Sequence, residues 1–466
     1  MATVISRGLM EEAALDELRT GFRGPLIQPN DPNYDDARHV YNGAIDRRPA
    51  LIAQPVDAGD VSAAVQFGRK LGLPIAVRGG GHHGAGFGTV DDGLVIDLGQ
   101  LKSVRVDPVA RTARVEPGCV LADVDHATHA FGLALPTGVL GSTGIAGLTL
   151  GGGIGYLSRG HGLTIDNLLE ADVVLASGEL VTTDAKRHPD LFWAIRGGGG
   201  NFGIVTSFLF QLHPVSTIVG GPVFYDLDRA AEVLRWYREF MPSAPEELSG
   251  FFAFTTVPSG PPFPEHLHGR RVAAIVWCYT GTIEEAEAVF EPIKTVGDPL
   301  MYGVQPMPYP ALQGAFDPLF PPGLAWVWRA DFITTIPDEA VEAHVRFGSA
   351  APSEQATMHL YPIDGAVHRV AQGDTAFSYR DVNWAMVIVA MDADLANAPA
   401  LRGWTTAYWE AIHPFSAGGA YVNMYMDEGQ EPIRRSYRDN HERLVSAKRQ
   451  YDPDNLFRIN QNIRPD

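Results

Sequence analysis

Between residues 45 and 215 the apolar positions come in short bursts. Residues 58–72, AGDVSAAVQFGRKLG, set Val61, Ala64, Val65 and Gly68 at the spacing of one helical face. LPIAV (73–77) then reads as a buried strand that runs straight into a glycine cluster. LVIDL (94–98), SVRVD (103–107) and TARVE (112–116) are short strands separated by turns, and VLADVDHATHAF (120–131) has a helical period. ADVVLA (171–176) and ELVTT (179–183) flank Ser177-Gly178 and predict a hairpin. IVTSFLFQL (204–212) is the last strand before His213-Pro214 interrupts the pattern.

Past that proline the period lengthens. Amphipathic helices such as RAAEVLRWYREFM (229–241) and IEEAEAVFEPIKTV (283–296) alternate with apolar strands. The strands are RVAAIVWCYT (271–280), WVWRADFI (326–333), ATMHLYPI (356–363) and WAMVIVAM (384–391). Long Pro-rich connections such as 301–323 argue against a doubly wound sheet. The pattern predicts an α+β protein whose second domain runs from 216 to about 424, with a charged helix opening the tail at 432.

Charge narrows the partners. Thirty-six Lys and Arg against 55 Asp and Glu give a net charge of −19. So acidic a surface repels phosphate backbones and anionic lipid, so neither nucleic acid nor a membrane surface is expected as a partner. Cys119 and Cys278 are the only cysteines, which excludes a disulfide scaffold and a cysteine zinc site. There is no signal-peptide pattern at the N-terminus and no apolar run near the ~18 residues of a membrane span, so a soluble, cytoplasmic protein is expected.

Glycine points to a ligand. Of 50 glycines, 19 fall in the windows 79–88, 138–155 and 197–203. Glycine in a helix or strand costs roughly 0.5–1 kcal/mol relative to alanine, and is tolerated where backbone turns sharply or approaches a ligand. Three such clusters imply one extended ligand gripped by main chain. In VRGGGHHGAG (77–86) a dinucleotide fingerprint can be forced, but the continuation FGTVDDGLVIDL is a turn and a strand, not the required helix. No phosphate-binding P-loop motif occurs either. What remains is a nest of backbone N–H groups suited to a pyrophosphate, with Arg78 able to add charge.

PIAVRGGGHHGAG, the T-G-x-x-G-L-x-L-G-G-G-x-G stretch from Thr143, GLTIDN, DLFWAIRGGGGNFGIVT and the closing YDPDNLFRINQNI together resemble the FAD-linked oxidases of the vanillyl-alcohol-oxidase superfamily. Within it they are similar to the berberine-bridge-enzyme-like group. The resemblance runs in order from about residue 45 to the C-terminus. It implies a PCMH-type FAD-binding domain of two α/β subdomains over 1–215, completed by 425–466. It also implies a substrate domain over 216–424 whose antiparallel sheet, covered by helices, lies over the flavin.

The same resemblance implies a covalent flavin. The family pattern R-x-G-G-H maps onto Arg78-Gly79-Gly80-Gly81-His82 and makes His82 the tether; His83 is the neighbour it must be told from. Adjacent side chains of extended chain point oppositely, so only one of the two histidines can serve. Many relatives add a cysteinyl bond just after the F/L-P-x-G-V turn. Here LPTGV (135–139) is followed by Leu140, and Cys119 does not match, so one covalent bond is expected and both cysteines are read as packing residues. The other cofactor contacts implied are Gly86, Gly138, Thr143, Gly144, Gly147, Gly151, Gly152, Gly153, Gly155, Ile204, Asn460 and Asn462. Thr143 falls at the position where a small residue admits oxygen in plant relatives.

On the substrate side, the tyrosine of the family's Y-x-N maps to Tyr421, with Asn423 two residues on and so on the same face of an expected strand. A free phenol has a pKa near 10, so Tyr421 needs support to accept a proton, and Arg369, with His368 and Arg380, is the expected source. Trp326, Trp328, Tyr361 and Tyr379 are candidates to line a pocket for an apolar or aromatic molecule. Asp125, His126 and His129 have metal-ligand spacing on one helix, but no further ligand is evident, so no metal is expected. The implied activity is an oxidase that removes two electrons from a C–OH or C–N carbon and passes them to molecular oxygen. A dehydrogenase or oxidative cyclase with another acceptor, and more remotely a non-catalytic flavin- or sugar-binding protein, stay open. Oligomeric state is not legible.

Overall fold

The computed structural model describes residues 2–465, with side chains from residue 12 onward. It is an α+β fold of three sheets. The first has the order Leu26–Ile27, Leu51–Ala53, Leu94–Asp97, Ile75–Arg78, and its last three strands are parallel. The crossover between Leu51–Ala53 and Ile75–Arg78 is the helix Ala58–Leu71. That helix starts where the Asp57 carboxylate accepts from the Asp60 N–H and stops at Gly72, whose φ of 64° is left-handed. Val61, Ala64 and Val65 form its buried face, as their spacing predicts.

The second sheet is antiparallel, in the order Val104–Asp107, Thr112–Val115, Ile204–Gln211, Leu168–Val174, Leu180–Asp184. Its last two strands are the hairpin expected around Ser177-Gly178. The eight-stranded third sheet holds the apolar strands of the second half, all antiparallel. The Pro-rich stretch 301–323 adds two short edge strands and a short helix to it.

Period-two alternation divides this third sheet. Phe252, Phe254, Met358, Leu360, Met386 and Ile388 face a core shared with the helices Ala230–Phe240, Ile283–Thr295, Asp338–Ser349 and Ala398–Ile412. Phe251, Trp326, Trp328, Tyr361, Val387 and Val389 face the other way, toward the glycine-rich loops of the first two sheets. No described helix is long and apolar enough to cross a membrane.

Candidate active site

A cleft enclosing about 320 Å³ lies where the three sheets meet. That is the scale of a ligand site. All three glycine clusters reach it, through Gly79–His83, Gly138–Gly147 and Gly199–Gly203. The first loop bends where Gly81 takes φ 66°, just after the strand Ile75–Arg78 ends. Loops one and two touch backbone to backbone, since a Cβ on Gly144 would lie 2.3 Å from the Gly80 nitrogen. Gly147 and Gly200 also line the cleft, yet a Cβ on either would meet nothing within 4 Å. No protein atom fills the space beside them.

His82 and His83 both line the cleft, because this stretch is a loop and not the extended chain that would send them apart. The His82 ring stacks on Tyr41 at 3.6 Å between centroids, and its Nε2 lies 3.4 Å from Ser142 Oγ. Burial pushes its pKa down to about 4, so the ring is a neutral imidazole with a lone pair to give. His83 stacks on Phe87, accepts from the Ala85 N–H through Nδ1 at 3.2 Å, and leaves a buried Nε2 without a partner. Asn460 Oδ1 is likewise buried, unpartnered and at the cleft.

The expected role of Arg78 is corrected. Arg78 lines the cleft, but its guanidinium is spent on Asp97 at 3.0 Å and on the carbonyls of Ala37 and His39, so it has no unpaired charge to add. Thr143 and Ile204 line the cleft as expected. Gly86, Gly151, Gly152, Gly153 and Gly155 do not; they support it from behind. A Cβ on Gly155 would collide with the Thr137 carbonyl, and one on Gly151 would lie 2.2 Å from Asn423 Oδ1. Asn462 is also absent from the lining, and its place is taken by Gln461, whose amide donates to the Met426 carbonyl at 3.0 Å. Leu140 lines the cleft, whereas Cys119 and Cys278 are buried elsewhere.

Tyr421 and Asn423 reach the cleft together, though not from a strand. They flank and enter the single 3₁₀ turn Val422–Met424, which brings Asn423 Nδ2 to 2.8 Å from the Tyr421 hydroxyl. That oxygen also accepts from the Gly153 N–H at 2.7 Å. Burial raises the phenol to about 12, against the pull of these two donors. The cationic support expected from Arg369 is not there. Arg369 is exposed and paired with Glu246, Arg380 is paired with Asp166 at 2.7 Å, and His368 bonds the Val382 carbonyl. Amide dipoles replace them.

Trp326, Trp328 and Tyr361 line the cleft; Tyr379 instead stacks on Phe332 away from it. Phe316, Phe320 and His359 also line it and escaped the sequence reading. For His359 the signal was present, since it alternates with Thr357 and Tyr361 on one strand. Asp125, His126 and His129 border a separate small cavity with Gln313, and no described group of three side chains is arranged to hold a metal.

A backbone-lined cleft of about 320 Å³, closed by an aromatic sheet and holding orphaned polar atoms, fits FAD. Two family models match the chain: an FAD binding domain over 49–184, and a berberine and berberine-like segment over 420–464. The chain is 33% identical over 457 residues to an FAD-linked oxidoreductase of Dictyostelium discoideum, covering 97% of each protein. The protein is therefore an FAD-linked oxidoreductase. Within that class it belongs to the berberine-bridge-enzyme-like family. It is 28% identical to the (R)-6-hydroxynicotine oxidase of Paenarthrobacter nicotinovorans, over 96% of this chain and 97% of that one. A solved variant of BBE-like 1 from Physcomitrella patens matches with a TM-score of 0.87 at 25% identity, covering 97% of this chain and 99% of that one.

Proposed function

We propose that this protein is an FAD-dependent oxidase whose flavin is tethered through His82, and that it oxidises a C–OH or C–N centre of a small organic molecule with oxygen as acceptor. The observation that carries this reading is the meeting of the neutral His82 imidazole and the Tyr421–Asn423 pair on the walls of one glycine-lined cleft. When bound, FAD supplies the electron chemistry by accepting a hydride from the substrate carbon.

The chain's own part is positioning and proton handling. Ser142 beside His82 Nε2 leaves Nδ1 as the ring nitrogen free for the tether. Gly79–His83 and Gly138–Gly144 offer backbone N–H groups to an anionic ligand without a compensating cation. Tyr421 takes the proton from the substrate's O–H or N–H. A phenol near 12 is protonated at neutral pH, so Tyr421 accepts that proton only in its minority phenolate form, whose share grows as pH rises. Gly153 N–H and Asn423 Nδ2 donate to the Tyr421 oxygen and stabilise that phenolate before it takes the proton.

Acid precipitation tests the tether. Wild-type protein gives a yellow pellet and His82→Ala a colourless one; a yellow His82→Ala pellet would move the attachment elsewhere. Mixing reduced enzyme with air tests the acceptor. Reoxidation as fast as turnover marks the oxidase, and slower reoxidation marks a dehydrogenase.

A further inference from the structure

We propose that His359 and Tyr361 form a hydrogen-bond-donor subsite that selects a neutral, flat substrate carrying a hydrogen-bond acceptor. The inference rests on the oxidase reading above, because it names the substrate class for that same cleft. Thr357, His359 and Tyr361 alternate along the strand Thr357–Pro362 and turn to the cleft together. The Thr357 hydroxyl is spent on the Phe254 carbonyl at 2.8 Å. His359 and Tyr361 bond each other, with Nδ1 and the phenol oxygen 2.6 Å apart, and the Phe251 ring packs on both.

The direction of that bond decides what the cleft displays. Burial holds His359 down to about 3 and pushes the Tyr361 phenol up, so both are neutral at working pH. The Tyr361 proton has no other acceptor among the described residues, and a buried hydroxyl proton left unpaired is costly. Tyr361 therefore donates to Nδ1, and His359 carries its proton on Nε2. No described protein group bonds Nε2, so this N–H is offered to the ligand. The indole N–H groups of Trp326 and Trp328, on the same face, are also buried without partners.

The sheet face of the cleft thus presents donors. Among the described residues that line it there is no Asp or Glu, and the guanidinium of Arg78 is already paired. A charged ligand entering between these aromatic rings would lose its hydration with no opposite charge to meet it. The chemistry that fits is a neutral aromatic or heteroaromatic molecule with a ring nitrogen, carbonyl or ether oxygen.

Calorimetric binding to the holoprotein at pH 8 tests this with three probes: benzyl alcohol, 4-(hydroxymethyl)pyridine and benzylammonium. The expected order places the pyridine tightest, about three- to tenfold over benzyl alcohol, the ratio one hydrogen bond supplies. Benzylammonium binds most weakly. His359→Leu brings the pyridine and phenyl probes to equal affinity, whereas His359→Gln, which keeps an N–H donor, preserves the ratio. Equal affinities in the wild type, tightest binding of benzylammonium, or an unchanged ratio in a folded His359→Leu would each overturn the subsite. The wild-type ranking decides even if His359→Leu does not fold. Calorimetry reads binding alone, so failure of every probe to reduce the flavin counts against the oxidase reading and leaves the subsite standing.

Discussion

Lys448→Met is expected to loosen the C-terminal closure of the site and to cost about 3–5 kcal/mol of stability. Lys448 and Asp452 are both fully buried, and Nζ lies 2.7 Å from the carboxylate. The ammonium also donates to the Asn201 carbonyl at 2.8 Å and to the Phe457 carbonyl at 2.9 Å. It thereby pins the third glycine loop and the tail that presents Asn460 and Gln461. Without it Asp452 becomes a buried anion held only by the N–H groups of Leu456 and Phe457, at 2.8 and 2.9 Å. Those two donors place the expected loss near the lower bound, about 3 kcal/mol. Neutralising the orphan in Lys448→Met/Asp452→Asn should return about 1–2 kcal/mol, since the uncompensated charge and not the missing pair dominates the cost. Urea unfolding followed by tryptophan fluorescence at pH 7 reads both numbers, and flavin absorbance reads the loosening. A Lys448→Met loss below about 1 kcal/mol, or a double variant less stable than the single, would refute the reasoning.

Four further outcomes follow from the geometry. Asn423→Leu removes a charge-assisted donor to Tyr421, worth ~1.5–3 kcal/mol, and should lower kcat roughly 10- to 100-fold with flavin retained. With a phenol near 12, the rate on a neutral alcohol should climb with pH past 10 and show no plateau below it. Gly147→Leu should gain up to about 1 kcal/mol of helix propensity while losing flavin, seen as a colourless protein that melts above flavin-free wild type; Gly80→Ala should instead destabilise the fold, because its Cβ would lie 2.5 Å from the Gly144 nitrogen. Burial raises Asp125 to about 7. The folded state then holds this proton where the unfolded chain has released it, so stability falls as pH rises from about 4 to 7, by an amount on the order of 3–4 kcal/mol. Asp125→Asn should remove that share of the pH dependence and raise Tm at pH 8 more than at pH 4, which thermal melts at the two pH values check.

Where residues act through their own neighbours in the chain, the sequence was readable. The helix Ala58–Leu71, the Ser177-Gly178 hairpin and the alternation along the strands of the third sheet all depend on local period and turn chemistry. Tyr421 and Asn423 were found through a motif, although the reason given for their meeting was wrong: a 3₁₀ turn joins them, and no spacing rule separates it from a strand over three residues. Arg369 was misplaced because proximity in the chain to an apolar strand says nothing about which way a loop turns, and this one turns to Glu246 in solvent. His359 was missed for the converse reason. Its alternation was visible, but which face of the sheet meets the glycine loops is a tertiary fact.

The glycines show the same limit most sharply, since one residue type does two opposed jobs in them. At Gly80 and Gly144 the missing Cβ lets two backbones touch, and there glycine serves the fold. At Gly147 and Gly200 a Cβ would meet no protein atom, so there the fold does not require glycine, and on the FAD reading proposed above it leaves room for the ligand at some cost in chain entropy. Density along the sequence registers both as one signal. Only the distance from an imagined side chain to its nearest neighbour separates them. It follows that substitutions at the two kinds of position should part company, the first kind losing the fold and the flavin together, the second losing the flavin alone.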